Sequence, residues 1–352
     1  MPTSSTASPT GAAQPAQPAE AAPPPAGRRL LAATLLAPAL ALLALWAFAW
    51  PAARTAPHDL PLGLAGPAAA TAPLEQRLRE GHEGAFRIHR YADEAAAREA
   101  VEDRTVYGAV VAAPDGPKLL TASAASPVVA QLLRRAVGEQ AAASGTPLRT
   151  EDVVAAPAAD PRGATLTASV LPLVMAGLAA GSAVTLLGLR GGRAAVALTG
   201  AAGLVGLAAA TLADSWLGVL DGNWWAEAGA FGLATLAVAG AVAGAAALAG
   251  RAGIALVGAL MMLIGNPFSG AATAPHLLPE PVGTLGQWLP PGAGASLLRS
   301  VGYFGGAAAT GPLITLAWWA ALGLAAVLLG TRLTSRAGSP APAVERELAP
   351  AS

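Results

Sequence analysis

The side chains able to do chemistry are few, and their spacing suits little of it. The chain has four histidines. His58, His82, His89 and His276 show no metal-ligand spacing, and no H-E-x-x-H occurs. His82-Glu83 lacks the second histidine and reads as a solvated loop. No G-x-S-x-G frames a serine, and Ser182 after Gly181 reads as a small packing residue. The absence of cysteine excludes disulfides, thiolate nucleophiles, Cys-type zinc sites and iron–sulfur clusters. Lys118 is the only lysine. It lies between Pro117 and Leu119, so it cannot serve a G-x-x-x-x-G-K-[ST] phosphate loop. It also leaves no second lysine for a Ser-Lys or Schiff-base arrangement. If the work of this protein is driven by ATP, another chain holds the nucleotide. No catalytic residue, metal or cofactor is expected in this chain.

Charges in apolar or breaker-rich surroundings are the better candidates. Arg299 falls in an otherwise apolar helical stretch, Ala295 to Val301, where a charge costs several kcal/mol unless paired or snorkelling. Glu280 is its nearest acidic candidate in sequence. Both belong to residues 266–304, too rich in Pro and Gly for one span. This segment reads as the outer gate of a translocation path, with Asn266, Pro267, Glu280, Trp288, Pro290, Arg299 and Tyr303 as candidate residues. The competing reading is an interfacial helical hairpin that caps the helices, with Glu280 in water. Asp214, Asp221 and Glu227 flank another turn. They read as solvated turn residues, with cation binding or substrate guidance as the alternative.

These residues must be positioned by elements of three materials. Of 352 residues, 54% are hydrophobic and 12% charged, against roughly 25% charged in an average soluble domain. Mean hydropathy is +0.52. The formal net charge is zero, which disfavours a nucleic-acid binder with a broad basic face. Residues 1–27 and 335–352 read as disordered tails, because they lack the apolar side chains to offset ordering entropy. Residues 28–52 read as a first membrane span. The uncharged run Leu30 to Trp50 is about 20 residues long, enough to cross a bilayer and longer than a signal-peptide core. It therefore reads as an uncleaved anchor.

Residues 53–162 carry most of the charges and alternate between strand and helix patterns. Strands are expected at Leu60–Ala65, Phe86–Tyr91, Val106–Val111 and Lys118–Ala122, with a turn at Asp115-Gly116. Helices are expected over Ala72–Glu80, after an N-capping Asp93, and from Ser126-Pro127 to about Ala143. This order suggests a small α/β domain. Residues 163–334 are apolar again, with spans expected near 164–189, 194–212, 226–249, 252–264 and 307–331. The predicted fold is an α-helical polytopic membrane protein. It has six transmembrane helices and a small extracytoplasmic α/β domain between the first two.

Arginine orients these spans. Arg28/Arg29, Arg190/Arg193, Arg251 and Arg332/Arg336 fall on one side of successive helices. Asp214, Asp221, Glu227 and Glu280 fall on the other, with Trp216, Trp224, Trp225 and Trp288. Basic short loops mark the cytoplasmic side and tryptophans the interface. Both termini are therefore expected in the cytoplasm of a bacterial plasma membrane, with residues 53–162 outside. Gly177, Gly181 and Gly188 read as small-residue packing positions between helices.

One span, an outer domain and five further spans resemble the layout of ABC-2-type membrane permeases. Two stretches sharpen the likeness to the YhgE/Pip (phage-infection-protein-like) group. One runs from Arg90-Tyr91-Ala92-Asp93-Glu94 to Glu102-Asp103-Arg104-Thr105-Val106-Tyr107-Gly108-Ala109. The other comprises Asn266-Pro267-Phe268-Ser269-Gly270, Leu278-Pro279, Gly286-Gln287-Trp288-Leu289-Pro290-Pro291-Gly292 and Arg299 through Tyr303-Phe304. The resemblance covers most of residues 30–335. It implies a permease subunit that works in the lipid bilayer as a homodimer with a separate ATP-binding-cassette ATPase, exporting a hydrophobic or amphipathic compound. The sequence departs from that pattern at the cytoplasmic side. A Pro-rich segment precedes the first span, and only Gly188 to Arg193 joins the second and third. The alternative is a non-transporting envelope protein whose outer domain binds a partner, a cell-wall component or a phage. A membrane enzyme is the third and least supported reading.

Overall fold

The computed structural model describes residues 26–81, 83–113 and 116–337. The expectations for the terminal tails, His82 and Asp115 fall outside these residues. The chain divides into two units between Ala44 and Leu45. The first holds the beginning of helix α1 (Ala26–Ala53), where Leu31, Leu35, Leu36 and Leu40 are exposed. A surface of leucines suits lipid and not water.

The α/β region is a five-stranded sheet of order β2-β1-β3-β4-β5. Its strands are β1 (Leu60–Ala65), β2 (Phe86–Tyr91), β3 (Gly108–Ala113), β4 (Gly116–Thr121) and β5 (Arg149–Asp152). β1 pairs in parallel with β2 and β3, and β3 and β4 are antiparallel. Helices α2 (Ala68–Gly81), α3 (Glu94–Glu102) and α4 (Pro127–Ala143) connect them. The predicted cap forms, Asp93 accepting from the Ala96 amide at 2.9 Å, and at the predicted start of α4 Ser126 accepts from the Val129 amide at 3.2 Å. The short β5 escaped the sequence pattern, because Arg-Thr-Glu-Asp has no apolar alternation. It is held by parallel pairing to β4.

Both faces of this sheet need residues from far along the chain. On one face Leu60, Leu62, Leu64, Leu119, Val129 and Leu133 form a core that also takes in Ala274 and Leu277. On the other, Ala97, Val101, Ala109, Val111 and Leu120 pack with Phe304. The edges of segment 266–304 thus complete the α/β core. The amides of Ala56 and His58 also donate to the carbonyls of Leu277 and His276, at 3.0 and 2.8 Å.

The rest is helical: α5 (Ala164–Leu186), α6 (Gly191–Ala210), α7 (Trp224–Ala249), α8 (Arg251–Ala259), α9 (Val282–Gln287), α10 (Pro290–Tyr303) and α11 (Thr310–Ala337). The carboxylate of Asp160 caps α5, accepting from the Ala164 and Thr165 amides at 2.9 and 2.6 Å. α6 and α8 end in π-helical turns, Thr211–Trp216 and Leu260–Gly265. Among the described residues, five helices are long and apolar enough to cross a membrane: Thr34–Ala53, Ala164–Leu186, Gly191–Trp216, Trp224–Ala249 and Thr310–Gly330. The protein is a polytopic membrane protein with a small α/β sheet.

The fifth predicted span, 252–264, does not reach that length. Nine residues of α8 and six of its π-helical extension rise at most about 22 Å, against a hydrocarbon core of about 30 Å. At Asn266 the chain turns, the Ser269 hydroxyl donating to the Asn266 carbonyl at 2.7 Å.

α7 is the central helix, buried along most of its length against α5, α6, α10 and α11. Its Ala/Gly sequence allows this, because small residues let helix backbones approach closely. A Cβ on Gly177 would stand 2.6 Å from that of Val238, and one on Gly181 2.6 Å from the Ala239 carbonyl. Gly188 departs from the packing reading: it sits at φ +70 in a turn with open space around it.

Candidate functional site at the junction of sheet and helices

The site begins with an arginine held in an unusual backbone conformation. α3 ends at Asp103, and the next residue, Arg104, adopts φ +59. This left-handed position after a helix usually takes glycine, and costs other residues about 1–2 kcal/mol. The amides of Thr105 and Val106 turn back to the Ala100 carbonyl at 2.9 and 3.2 Å, which secures the reversal. The turn delivers the guanidinium to α10. Its Nη1 donates to the Ser296 carbonyl at 3.1 Å and to the Ser300 hydroxyl, and its plane lies 5.2 Å from the Phe304 ring centre.

α10 supplies the facing wall. Ser296 and Ser300 are four residues apart, hence on one helix face. The Ser296 hydroxyl donates to Gln287 Oε1 at 2.6 Å, and Gln287 Nε2 donates to the Ser269 carbonyl at 2.9 Å. Arg299 is buried at 7% exposure and donates through Nη2 to the Ala271 carbonyl at 3.1 Å. From the sheet side come Tyr107 and, across from it, His276, with their rings edge to face at 5.5 Å.

Between these walls lies a cavity of about 460 Å³, within the size range of small-molecule sites. Arg104, Tyr107, His276, Gln287 and Ser296 give it polar groups. Val106, Trp288 and Pro312 give it apolar ones. Its electrostatics are one-sided. Among the described residues, neither Arg104 nor Arg299 has a carboxylate within ion-pair distance. Burial and then repulsion from Arg299 push Arg104 down to about 10. Burial raises the Tyr107 phenol and lowers the His276 imidazole, so both rest neutral near pH 7. The Tyr107 hydroxyl and His276 Nδ1 lie 3.4 Å apart, and the arrangement can hold and orient a negatively charged group.

The chain matches no protein-family model, no curated protein and no solved structure. The site's reading therefore rests on its own geometry.

Of the residues predicted to form a gate, the structure brings Trp288 to the cavity wall and Arg299 beside it. Trp288 is 67% exposed, and its carbonyl accepts from Trp319 Nε1 at 2.8 Å. Pro290 opens α10, where a missing N–H does no harm. Tyr303 points elsewhere, donating its hydroxyl to the Val219 carbonyl at 3.0 Å. Asn266 and Pro267 form the turn after α8 and do not line the cavity. The expected pairing of Arg299 with Glu280 does not form. Glu280 is exposed and accepts from the Thr284 hydroxyl at 3.4 Å. The turn at Ala271, not an acid, supplies the acceptor for Arg299.

Sequence reasoning missed Ser296 and weighed His276 only as a metal ligand. It quoted Arg104, Gln287 and Ser300 only as part of a resemblance. The available signal was a bulky residue directly after a helix end where glycine is expected. The assignment of Glu227 to a solvated turn is also corrected. Its side chain is fully buried, with Oε1 accepting from the Gly222 amide at 3.0 Å and Oε2 without a partner among the described residues. The turn before α7 folds over it and is tied to α10, the Asp221 amide donating to the Gly302 carbonyl at 3.2 Å. Asp221 itself stays exposed.

Proposed function

We propose that this chain is an ABC-2-type permease subunit, exporting a hydrophobic or amphipathic compound with ATP hydrolysed by a separate subunit. The observation that carries the reading is the form of segment 266–304. It is two short helices that fold back at one end of the bundle, hydrogen-bonded to the α/β region through Arg104. Such a segment can close the outer end of a path between helices, and non-spanning backbone of this kind is tolerated where protein buries it. In this reading α8 with its π-helical turn is a short fifth span, the sheet lies outside, and both termini lie in the cytoplasm. Two copies of the chain form the path along their interface.

The alternative is a non-transporting envelope protein on the same fold. One observation favours it: α5 and α6 are joined by only Leu187–Arg190, which leaves an ATPase little to grip. Co-purification with a candidate ATP-binding-cassette ATPase, followed by ATP hydrolysis in liposomes, separates the two. A stable complex whose hydrolysis rises with an amphipathic substrate is expected. No association and no stimulation would sink the transporter reading and leave the envelope protein.

A further inference from the structure

We propose that the Arg104 cavity binds the phosphate or carboxylate of an anionic amphiphile, with its apolar chain lying along Trp288 and the first turn of α11. The anion is called for by an imbalance of charge. Arg104 and Arg299 approach closely enough to repel, and no described carboxylate answers either one. Arg299 is buried and Arg104 half-buried, and enclosed charges without a counter-ion are retained at a cost in stability. Elsewhere in the same sheet the chain does place acids against its cations, so the omission here is local.

The donors also remain partly unused. A guanidinium has five N–H groups in a fixed fork that suits a carboxylate or phosphate. Arg104 commits Nη1 to α10, while Nε and Nη2 have no partner among the described residues. Its left-handed backbone and its contact with Ser300, itself fully buried, hold the fork in place. Strained residues concentrate at ligand clamps.

The amphiphile follows from the opposite wall. Trp288, Pro312 and Val106 line the cavity with apolar surface. Beyond them the side chains of Leu313, Ile314 and Trp318 on α11 are about half exposed or more. A bare anion would leave that wall unused, and a neutral lipid would leave the arginines unanswered. The cavity sits at the end of a bundle that crosses the membrane, where a headgroup and a chain part company.

The inference deepens the export reading by naming a substrate class, yet it is tested without ATP. The full chain in phosphatidylcholine nanodiscs is titrated with dodecyl phosphate, dodecanol or inorganic phosphate, with binding followed by native mass spectrometry. Dodecyl phosphate is expected to bind at least ten-fold more tightly than either control. Arg104→Gly, which suits the backbone and removes the fork, is expected to abolish that preference. Ser300→Ala, which frees the fork without deleting it, is expected to weaken binding several-fold. Equal binding of dodecyl phosphate and dodecanol, or an undiminished preference in Arg104→Gly, would overturn the proposal. Replacing part of the phosphatidylcholine by phosphatidylglycerol distinguishes the source. Competition assigns the site to a bilayer lipid, and its absence assigns it to a free amphiphile. Intact binding with no stimulated ATP hydrolysis would remove the transport reading alone.

Discussion

Two groups of charges, one on the α/β region and one where it meets α10, are built on opposite plans. On the sheet surface, Arg98 and Lys118 meet Glu94 and Glu151 in a closed four-member network. Lys118 Nζ lies 2.6 and 2.8 Å from the two carboxylates, and Arg98 Nη2 lies 3.4 and 2.6 Å from them. Two cations and two anions balance, all partly exposed. Each carboxyl is held below its ordinary range chiefly by its hydrogen bond to Lys118. At the junction, Arg104 and Arg299 have as partners, among the described residues, carbonyls, a hydroxyl and the Phe304 ring, and no carboxylate. The contrast teaches what each group is for. A balanced surface network is complete in itself and contributes modestly to stability. An unbalanced enclosed pair is incomplete until a negative group arrives.

The comparison can be broken at its strongest point by Arg299→Ala. It removes the hydrogen bond of an enclosed guanidinium, a loss of about 1.5–3 kcal/mol, while the Ala271 carbonyl keeps the Thr167 hydroxyl as donor at 3.0 Å. Substrate-stimulated ATP hydrolysis and yield of folded protein are expected to fall with it, whereas Arg336→Ala leaves both unchanged. Equal behaviour of the two variants would remove any special role from Arg299.

Arg104→Gly comes next and should separate binding from stability. The glycine relieves about 1–2 kcal/mol of left-handed strain and gives up two hydrogen bonds worth about 1 kcal/mol each. The unliganded protein should therefore melt within a few degrees of wild type while losing the anionic ligand. A large fall in melting temperature would mean that the junction is structural scaffolding, like the surface network.

Lys118→Met is the reciprocal test. It is expected to lower stability by about 0.5–1 kcal/mol, as exposed ion pairs do, and to leave dodecyl phosphate binding intact. A loss of binding would show that the two groups are not independent.

The smallest effect is one of pH. Glu94 and Glu151 have depressed values in the folded state, so their contribution is complete above the ordinary carboxyl range of about 4.3 and is lost as pH falls through the folded values. Melting curves taken downward from pH 5 should fall more steeply for wild type than for Lys118→Met, by a few tenths of a kcal/mol. Parallel curves would deny the network its electrostatic share.

Much of the fold was legible because its signals are local. The run Leu30 to Trp50 announces a span by length alone, and the spacing of Ala97, Ala100 and Val101 behind Asp93 announces α3. β5 was not legible, since Arg149 to Asp152 is a strand only because β4 offers it a partner. The 252–264 stretch reads as a span by its apolarity, and the turn that starts at Asn266 keeps its helix short. The site was legible only in part. Arg299 drew attention as a charge among apolar neighbours, but its partner was sought among nearby acids and proved to be a carbonyl.

The sequence by itself determined that this protein lies in a membrane, that no ATP loop or metal-ligand pattern lies within it, and that a small α/β region interrupts its apolar helices. Those properties follow from residue types and from periods of two and 3.6. Only the tertiary structure decided that Arg104 and α10 share a cavity. They stand almost two hundred residues apart in the chain, and the atoms that join them are a backbone carbonyl and a hydroxyl. Every residue carries the first and many carry the second, so no pattern of letters marks the pair. The same reason hid the burial of Glu227: a carboxylate at a turn looks solvated until the turn is seen folded over it.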